Sequence, residues 1–255
     1  MSILLVEVVS GGIIFGADRN ITVKNGTEPP TQRTKVLKWP NENTLFGFVG
    51  ATAIDNMPIN EWLETIRDEF NRYSELHKIA KNLAKKIQPL REEMEGNYPA
   101  RPLIVHLGGF IREHNHWKPS IWHISNAHKM GRYRYLSIKK QFGCNDAFKN
   151  KFSNEDVSEI RDILRIKEKN FDPLWFHQGI DLFTFNVLEE SIRSAFKSLC
   201  EQHPNHDIPK TIEEWAKYVK MKILMYSAYY QAFKPANERS VGGEPDVEFL
   251  QWPEE

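Results

Sequence analysis

The amino-terminal stretch constrains the fold of this chain more than any other part of the sequence. Two apolar runs, Ile3–Val9 and Ile13–Ala17, flank a Ser10-Gly11-Gly12 turn. Apolar, β-branched runs joined by such a turn predict a β-hairpin with at least one buried face. Most chains leave their first residues loose on the surface. Here Ser2 begins a strand, so removal of Met1 would leave a hydroxyl and a free α-amine on one residue held by a sheet.

Composition excludes several classes of protein. Charged residues make up 27% and hydrophobic residues 40% of the 255 positions, as in ordinary globular proteins. Lys+Arg and Asp+Glu both number 34, so no basic excess indicates nucleic acid. The run Ile3–Val9 is too short to span a bilayer and lacks the flanks of a signal peptide. With only Cys144 and Cys200, no disulfide framework is indicated. We therefore expect a cytoplasmic protein with no nucleic-acid or membrane partner.

The rest of the chain alternates between strand-forming and helix-forming segments. Apolar runs bounded by turn residues predict strands, whereas apolar residues at helical spacing predict helices. Thr211 and Glu214 form a predicted capping box at the start of the last helix. The predicted strands are 35–39, 44–50, 103–111, 120–125, 133–142 and a final strand after Pro245, and the predicted helices are about 59–70, 74–94, 180–200 and 211–233.

This order of elements predicts the fold class. Two sets of helices separated by strands suit two stacked antiparallel sheets with helices on the outside. We therefore predict an α+β protein, a four-layer αββα sandwich, with residues 1–255 forming one domain. The segment 150–178 is charged and poorly periodic, and it is interpreted as a helical insertion with one surface helix.

Four motifs then point to a family. They are Phe15–Arg19 after the hairpin turn, the strand Lys35–Leu37, Phe48–Ala51 entering a helix, and the late segment Val241–Val247. In this order they resemble proteasome β-type subunits and their bacterial relatives among the N-terminal-nucleophile (Ntn) hydrolases. The resemblance covers roughly the first 75 residues and the closing strand, and the middle matches mainly in its order of elements. It implies the same αββα sandwich.

The resemblance also implies an active site. An N-terminal Ser or Thr of this family attacks the substrate carbonyl, and Ser2 lies sixteen positions before Asp18, which matches the family spacing. Lys35 matches the buried lysine, displaced by one residue, and Gly50 matches the glycine whose N–H helps form the oxyanion hole. A free α-amine, with a pKa of about 7.7–8.0, can accept the serine proton near neutrality. Cationic Lys35 would favour the alkoxide, and Asp18 would keep Lys35 charged and oriented.

The supporting positions depart from the family pattern. Asn20 stands where the family has an arginine, with Arg19 one position earlier. The family's Gly-Ser-Gly-Ser turn matches the turn that begins at Gly143, which puts Cys144 in place of the serine, followed by Asn145. The late acid and serine of the family correspond to Asn237 or Glu238 and to Ser240 or Val241. The resemblance therefore implies an intact set of principal residues with an altered set of supporting ones.

Several functions remain open from the sequence. The first is a proteasome-like, threonine-type peptidase or amide hydrolase that cleaves peptides or proteins, working as a homo-oligomeric ring or a smaller assembly. The second is a catalytically inactive proteasome-like scaffold subunit, and the third is a dedicated amidase or peptide ligase. No cofactor is expected. Because no carboxylate or cysteine completes a ligand set with His114, His116 and His123, no metal is expected either. The sequence does not specify an ATPase partner.

Simpler explanations exist for each candidate residue. A serine at position 2 is common, Asp18 could cap a turn beside Arg19, and Gly50 could end a strand. Lys35 could face solvent, as most lysines do. Cys144 could be a small buried side chain. The aromatic residues of the last helix favour either core packing or a subunit interface; they are Trp215, Tyr218, Tyr226, Tyr229, Tyr230 and Phe233.

Overall fold

Two antiparallel sheets organise the protein in a computed structural model. It describes residues 2–21, 31–39, 43–70, 75–88, 94–95, 98–99, 102–113, 115–126, 134–137, 160–179, 181–203, 205–234 and 241–254. The first sheet has four strands in the order β14-β1-β2-β15, and the second has five in the order β13-β12-β11-β6-β5. All neighbours in both sheets run antiparallel. This confirms the predicted α+β class with antiparallel sheets.

The strands and helices of the described residues have the following bounds. The strands are β1 Leu4–Val9, β2 Gly12–Ala17, β3 Asn20–Ile21, β4 Thr31–Gln32, β5 Val36–Trp39, β6 Thr44–Gly50, β7 Ala53–Ile54, β8 Met57–Pro58, β9 Met94–Glu95, β10 Tyr98–Pro99, β11 Leu103–Glu113, β12 His116–Ser125, β13 Arg134–Ser137, β14 Leu174–Gln178 and β15 Asp246–Gln251. The helices are α1 Ile59–Thr65, α2 Arg67–Phe70, α3 Leu76–Ile87, α4 Ile160–Glu168, α5 Leu182–Gln202 and α6 Ile212–Phe233.

The amino-terminal hairpin lies in the middle of the first sheet. β1 pairs with β2 from Leu4↔Ala17 to Val9↔Gly12, around the predicted turn. Every residue of both strands is buried. Apart from Glu7, the residues of both strands are apolar, because both faces of this sheet are covered and a strand buried on both faces has no polar side.

Alternate residues of β1 pack into two different cores. Leu4, Val6 and Val8 belong to a cluster that also holds residues of the second sheet, such as Leu45 and Ile121. Their neighbours Ile3, Leu5 and Val9 belong to a cluster formed with helices α5 and α6. This division follows from the alternation of side chains along a strand. Each face of β1 therefore contributes to a separate core.

A third core covers the other face of the second sheet. Its residues come from α1, α2 and α3 and from the strands β6, β11 and β12, and they include Leu63, Leu83, Phe48 and Val105. The helical spacing in the sequence predicted this apolar face. The helix α3 is shorter than predicted and ends at Ile87.

The structure also differs from the sequence predictions at two places. Residues Leu174–Gln178 form β14, which pairs with β1 at the edge of the first sheet, whereas the sequence predicted only a surface helix in this segment. Within the predicted loop 20–33, β3 and β4 form a short ladder. The capping box of Thr211 and Glu214 is confirmed at the start of α6. The division into one domain with an insertion at 150–178 stays a prediction.

Candidate active site

Lys35 lies at the centre of the candidate site. It lies in the segment between β4 and β5, directly before β5, and its side chain is 2% exposed. Its Nζ donates to Ser2 Oγ at 3.0 Å, to Asp18 Oδ1 at 3.1 Å and to the Asn20 carbonyl oxygen at 2.6 Å. A lysine ammonium has three N–H donors, so these acceptors satisfy the charged form of Lys35 completely.

Asp18 joins Lys35 to the start of the chain. It follows β2 directly, and its carboxylate is fully buried. Besides Lys35, its Oδ1 accepts from the Ile3 backbone N–H at 2.8 Å, and its Oδ2 accepts from the Gly242 N–H at 3.3 Å. The Asp18 N–H donates to the Ile3 carbonyl at 3.3 Å. Asp18 thus holds Ile3, the residue that follows Ser2, through both the N–H and the carbonyl group of Ile3.

Burial shifts the two charged groups in opposite directions. Desolvation raises the pKa of Asp18, against the effect of Lys35 and of the backbone N–H groups of Ile3 and Gly242. Desolvation lowers the pKa of Lys35, against the attraction of Asp18 and, more weakly, Asp246. Both shifts arise because removing a charge from water disfavours the charged form. Each partner therefore depends on the other for its charge.

Asn20 contributes to the site through its backbone. Its carbonyl accepts from Lys35, and its N–H donates to the Gly242 carbonyl at 3.0 Å. The side chain of Asn20 lies next to Gly242, where an added Cβ would approach Asn20 Nδ2 to 2.5 Å. The sequence did not predict Gly242 as a site residue, although the motif Val241–Val247 contained it. Spacing alone does not show which residue of that motif reaches Asp18.

Gly179 allows the close approach of the Ser2 backbone. It follows β14 with φ +113°, and a Cβ at this position would lie 1.8 Å from the Ser2 carbonyl oxygen. A side chain is excluded both by the space and by the left-handed backbone conformation. Sequence reasoning missed this residue because the strand before it was not predicted. Ser2 itself is half-buried.

Gly50 stands at the exposed end of β6. It has φ +100°, and an added Cβ would lie 2.0 Å from the Pro102 carbonyl oxygen. The Phe48 N–H donates to the Lys35 carbonyl at 3.1 Å, so Gly50 lies two residues beyond the point where β6 passes Lys35. The next residue, Ala51, is tied to the Pro102 carbonyl at 2.7 Å.

Of the remaining predicted positions, only Val241 lies within the described residues. Cys144, Asn145, Asn237, Glu238 and Ser240 lie outside the described residues. Val241 is described, and it is a buried residue of the core under α5 and α6.

The described part of the chain lacks both a metal-binding cluster and a helix suited to crossing a membrane. It holds no group of three His, Cys, Asp or Glu side chains placed to bind a metal ion. His123, one of the histidines considered from the sequence, lies with its Nδ1 3.0 Å from His106 Nε2. No helix of the described segments combines the length and the apolar character that a bilayer crossing requires.

Comparison with known proteins gives a match in structure and none in sequence. No protein-family model matches the chain, and no curated protein matches it. Anbu from Yersinia bercovieri, described as an ancestral β-subunit, has a TM-score of 0.51 and 11% identity, covering 98% of this chain and 81% of that chain. A Gly-1 mutant of Anbu from Hyphomicrobium sp. strain MC1 has a TM-score of 0.51 and 12% identity, covering 98% and 82%.

The match extends along nearly the whole chain. A helical assembly of the Anbu complex from Pseudomonas aeruginosa also matches, with a TM-score of 0.50 and 10% identity over 98% of this chain and 81% of that one. The fold is proteasome-like. At this level of identity the likeness shows the fold alone, so the chemistry of this proteasome-like chain has to be argued from its own residues.

Proposed function

We propose that this protein is a proteasome-like N-terminal-nucleophile hydrolase that cleaves amide bonds in peptides or proteins. Ser2 becomes the first residue when Met1 is removed, and its hydroxyl is the nucleophile. Its own α-amine is the general base, Lys35 and Asp18 form the charged pair beside it, and the Gly50 N–H donates to the oxyanion. The observation that carries this proposal is the buried Lys35 ammonium, which donates to both Ser2 Oγ and Asp18.

The contacts of Lys35 define its role in this mechanism. All three of its N–H groups are directed to acceptors, so it acts as a cation and not as the base. A cation 3.0 Å from Ser2 Oγ stabilises the developing alkoxide. The base is then the neutral α-amine, whose pKa of about 7.7–8.0 suits proton transfer near neutrality.

The reaction proceeds in two steps. The Ser2 hydroxyl proton passes to the α-amine as Oγ attacks the substrate carbonyl carbon, which produces a tetrahedral oxyanion. The protonated amine then donates to the leaving nitrogen, and the carbon–nitrogen bond breaks to leave an ester on Ser2. Water, activated by the same amine, hydrolyses this ester. One oxyanion donor such as the Gly50 N–H is worth about 3–4 kcal/mol where such donors have been removed.

The three cores support the finer architecture within this proposal. One core lies between the two sheets, one between α1–α3 and the second sheet, and one between α5–α6 and the first sheet. We infer a helix–sheet–sheet–helix order, the four-layer αββα sandwich, with 150–178 as an insertion whose end joins the first sheet. We further propose a cytoplasmic homo-oligomer, and the helical assembly of the Anbu complex supports the oligomer.

Intact mass spectrometry tests the proposed function. Purified protein should lack Met1, and incubation with a β-lactone or epoxyketone should add one inhibitor mass, located at Ser2 by peptide mapping. Ser2→Ala should give no adduct, because the nucleophile is absent. Retention of Met1, or equal labelling of the Ser2→Ala variant, would contradict the mechanism. A folded protein with free Ser2 that neither reacts nor cleaves peptides would instead be the non-catalytic scaffold.

A further inference from the structure

A carboxylate from the last strand reaches the backbone of Lys35. Asp246 is the first residue of β15, and its Oδ2 accepts from the Lys35 N–H at 2.7 Å. The Val36 N–H also bonds this carboxylate. The side chain of Asp246 is 13% exposed. Since charge-assisted hydrogen bonds are stronger than neutral ones, this contact holds the Lys35 backbone more firmly than a backbone acceptor would.

Arg19 connects the same carboxylate to the segment that carries Asp18. Its Nε lies 3.2 Å from Asp246 Oδ1, and its Nη2 donates to Thr34 Oγ1 at 3.1 Å. Its backbone N–H donates to the Gly242 carbonyl at 3.1 Å. Arg19, the residue after Asp18, thus links Thr34, the residue before Lys35, to Asp246 of the last strand.

This arrangement holds both backbone groups of Lys35. Asp246 accepts from its N–H, and its carbonyl accepts from the Phe48 N–H at 3.1 Å. Lys35 directly precedes β5, and its carbonyl bond with Phe48 continues the register of the β5–β6 ladder, in which Val36 pairs with Gly47, whereas its N–H bonds Asp246 and not a neighbouring strand. The Lys35 side chain must nevertheless bring its Nζ to three acceptors at once. Small displacements of a catalytic group slow the reaction, and a misplacement of about 1 Å can lower the rate by roughly 100-fold.

We propose that Asp246 is a positioning residue for Lys35, and that Arg19 orients the Asp246 carboxylate. Asp246 touches neither Ser2 nor a substrate, and it acts by fixing the backbone from which the Lys35 ammonium reaches Ser2 Oγ. The proposal rests on the proposed function, because the site it serves is the Ser2–Lys35–Asp18 site. It gives Arg19 a role beside Asp18, although Asn20 occupies the position that the family resemblance assigns to arginine.

Three variants separate this role from a general effect on stability. Asp246→Ala removes both acceptors. Asp246→Asn keeps an oxygen that accepts from the Lys35 N–H but removes the charge. Glu248→Ala is the control, since it deletes an exposed carboxylate two residues further along β15, near Lys38.

Two measurements compare the variants with the parent protein. The first is the rate of Ser2 acylation by a β-lactone as a function of pH. The second is amide hydrogen exchange at Lys35 by NMR, with Val6 of the central strand as an internal reference for global opening. Asp246→Ala should accelerate exchange at Lys35 by about tenfold without changing Val6. It should slow acylation by roughly 10–100-fold, and Asp246→Asn should recover most of the amide protection.

The pH dependence of the acylation rate provides a further test, because general destabilisation would not shift it along the pH axis. The charged side chains facing Lys35 are Asp18 and Asp246, with Arg19 behind Asp246. Removing the Asp246 charge takes away one attraction that favours the Lys35 ammonium, and this lowers the pKa of Lys35. The alkaline limb of the profile, where the acylation rate falls at high pH, should therefore move to lower pH in both Asp246 variants. Glu248→Ala should leave the limb and the exchange rate as in the parent protein.

The outcomes also distinguish this proposal from the proposed function. If Asp246→Ala keeps both the Lys35 amide protection and the pH profile of the parent protein, the positioning role is wrong. If Ser2 of the parent protein does not react, the proposed function is wrong. Amide exchange at Lys35 then tests only whether Asp246 fixes the Lys35 backbone. In that case, faster exchange at Lys35 with Val6 unchanged supports the role of Asp246, and unchanged exchange overturns it.

Discussion

At the scale of single residues, the charge pair of Lys35 and Asp18 carries the site. Both side chains are buried, and Lys35 Nζ lies 3.1 Å from Asp18 Oδ1. Such a pair adds little net stability compared with apolar residues, but breaking it leaves one charge buried without its partner. The sequence spacing suggested that Lys35 and Asp18 act together with Ser2. In the structure, Lys35 Nζ contacts both Ser2 Oγ and Asp18 Oδ1.

Removal of the lysine charge should therefore destabilise the fold as well as abolish activity. Lys35→Met should lower the free energy of unfolding by about 3–5 kcal/mol, because Asp18 then remains buried and unpaired. The double variant Lys35→Met/Asp18→Asn should recover much of this loss without recovering acylation of Ser2. Urea denaturation measures the stability, with Lys38→Met as control because Lys38 is exposed on β5. Wild-type turnover in Lys35→Met would contradict the role of the ammonium.

The pH dependence of activity should be bell-shaped. The α-amine must be neutral, so activity should rise through its pKa of about 7.7–8.0. Lys35 must be charged, and burial lowers its pKa from the usual 10.5. Activity should thus fall on the alkaline side at a pH below 10.5. Measurement of kcat/KM against pH with a peptide amide checks this, and a profile that stays flat up to pH 10.5 would show that Lys35 is not required as a cation.

At the scale of elements, the ends of strands shape the site more than their interiors do. Ser2 precedes β1, Asp18 follows β2, Lys35 precedes β5, Gly50 ends β6 and Gly179 follows β14. Strand interiors are constrained by pairing on both sides, whereas their ends are free to adopt the left-handed conformations of Gly50 and Gly179. Antiparallel pairing brings these ends to one edge of the molecule.

Gly179→Ala should displace the nucleophile. The new Cβ would meet the Ser2 carbonyl oxygen at 1.8 Å on a backbone with φ +113°, so either Ser2 or the end of β14 must shift. We expect acylation of Ser2 to fall by roughly 100-fold while the protein stays folded, as judged by circular dichroism. Gly11→Ala is the control, since its nearest neighbour, Ile212 Cβ, is 3.2 Å away and its φ is not positive. Equal rates in both variants would show that Gly179 does not place Ser2.

The same scale shows why one strand escaped prediction. Leu174–His177 are all buried, because one face meets the inter-sheet core and the other meets α5. A short strand covered on both faces has no alternation, and this one follows Pro173 in a charged segment. By contrast, α6 was predicted closely, since a capping box is a local signal between Thr211 and Glu214 that needs no tertiary context.

At the scale of the whole molecule, a buried cluster of ionisable groups joins the hairpin to the outer helices. Lys222 of α6 forms ion pairs with Glu7 of β1 and Glu189 of α5, and Tyr226 donates to Glu189. Glu7 and Lys222 are fully buried. Two carboxylates face one ammonium, and desolvation raises the pKa of Glu7 to about 7. Protonated Glu7 leaves the cluster electrically neutral.

Stability should therefore decrease as the pH rises. The pKa of Glu7 is raised above the unfolded value of 4.5, so its contribution is fully present below 4.5 and is lost as the pH passes about 7. The loss amounts to about 3 kcal/mol. Glu7→Gln should match the parent protein near pH 4.5 and be more stable at pH 8.5 in urea denaturation. Glu190→Gln, on the exposed face of α5, is the control. Parallel curves for Glu7→Gln and the parent would refute the assignment.

Two large apolar side chains are exposed at the ends of the outer helices. Phe183 near the start of α5 is 79% exposed and Phe233 at the end of α6 is 76% exposed. The start of α5 and the C-terminal half of α6 are adjacent, since the rings of Phe185 and Tyr226 lie 5.4 Å apart. Of the aromatic residues of α6, Trp215, Tyr218, Tyr226 and Tyr230 are core residues and Tyr229 packs partly buried against that core, whereas Phe233 is exposed.

Light scattering tests the proposed homo-oligomer. At micromolar concentration the protein should have a mass several times that of one chain, and Phe183→Glu should lower it because a charge cannot be buried at a contact without a partner. Ile166→Glu, a similar change at the 63% exposed Ile166 of α4, should leave the mass unchanged. A monodisperse monomer of the parent protein would exclude this assembly.

The local features could be predicted from the amino-acid sequence: the hairpin, the strands β5, β6, β11 and β12, the outer helices and the cap of α6. These features depend on turn residues, periodicity and contacts between near neighbours, which short stretches of sequence contain. Which residues meet at the site depends instead on long-range contacts. Gly242 and Asp246 approach Asp18 and Lys35 from more than two hundred residues away, and Gly179 approaches Ser2 from a strand that the sequence did not reveal. Such contacts depend on sheet order and register, which antiparallel pairing over the whole chain fixes and no local pattern encodes.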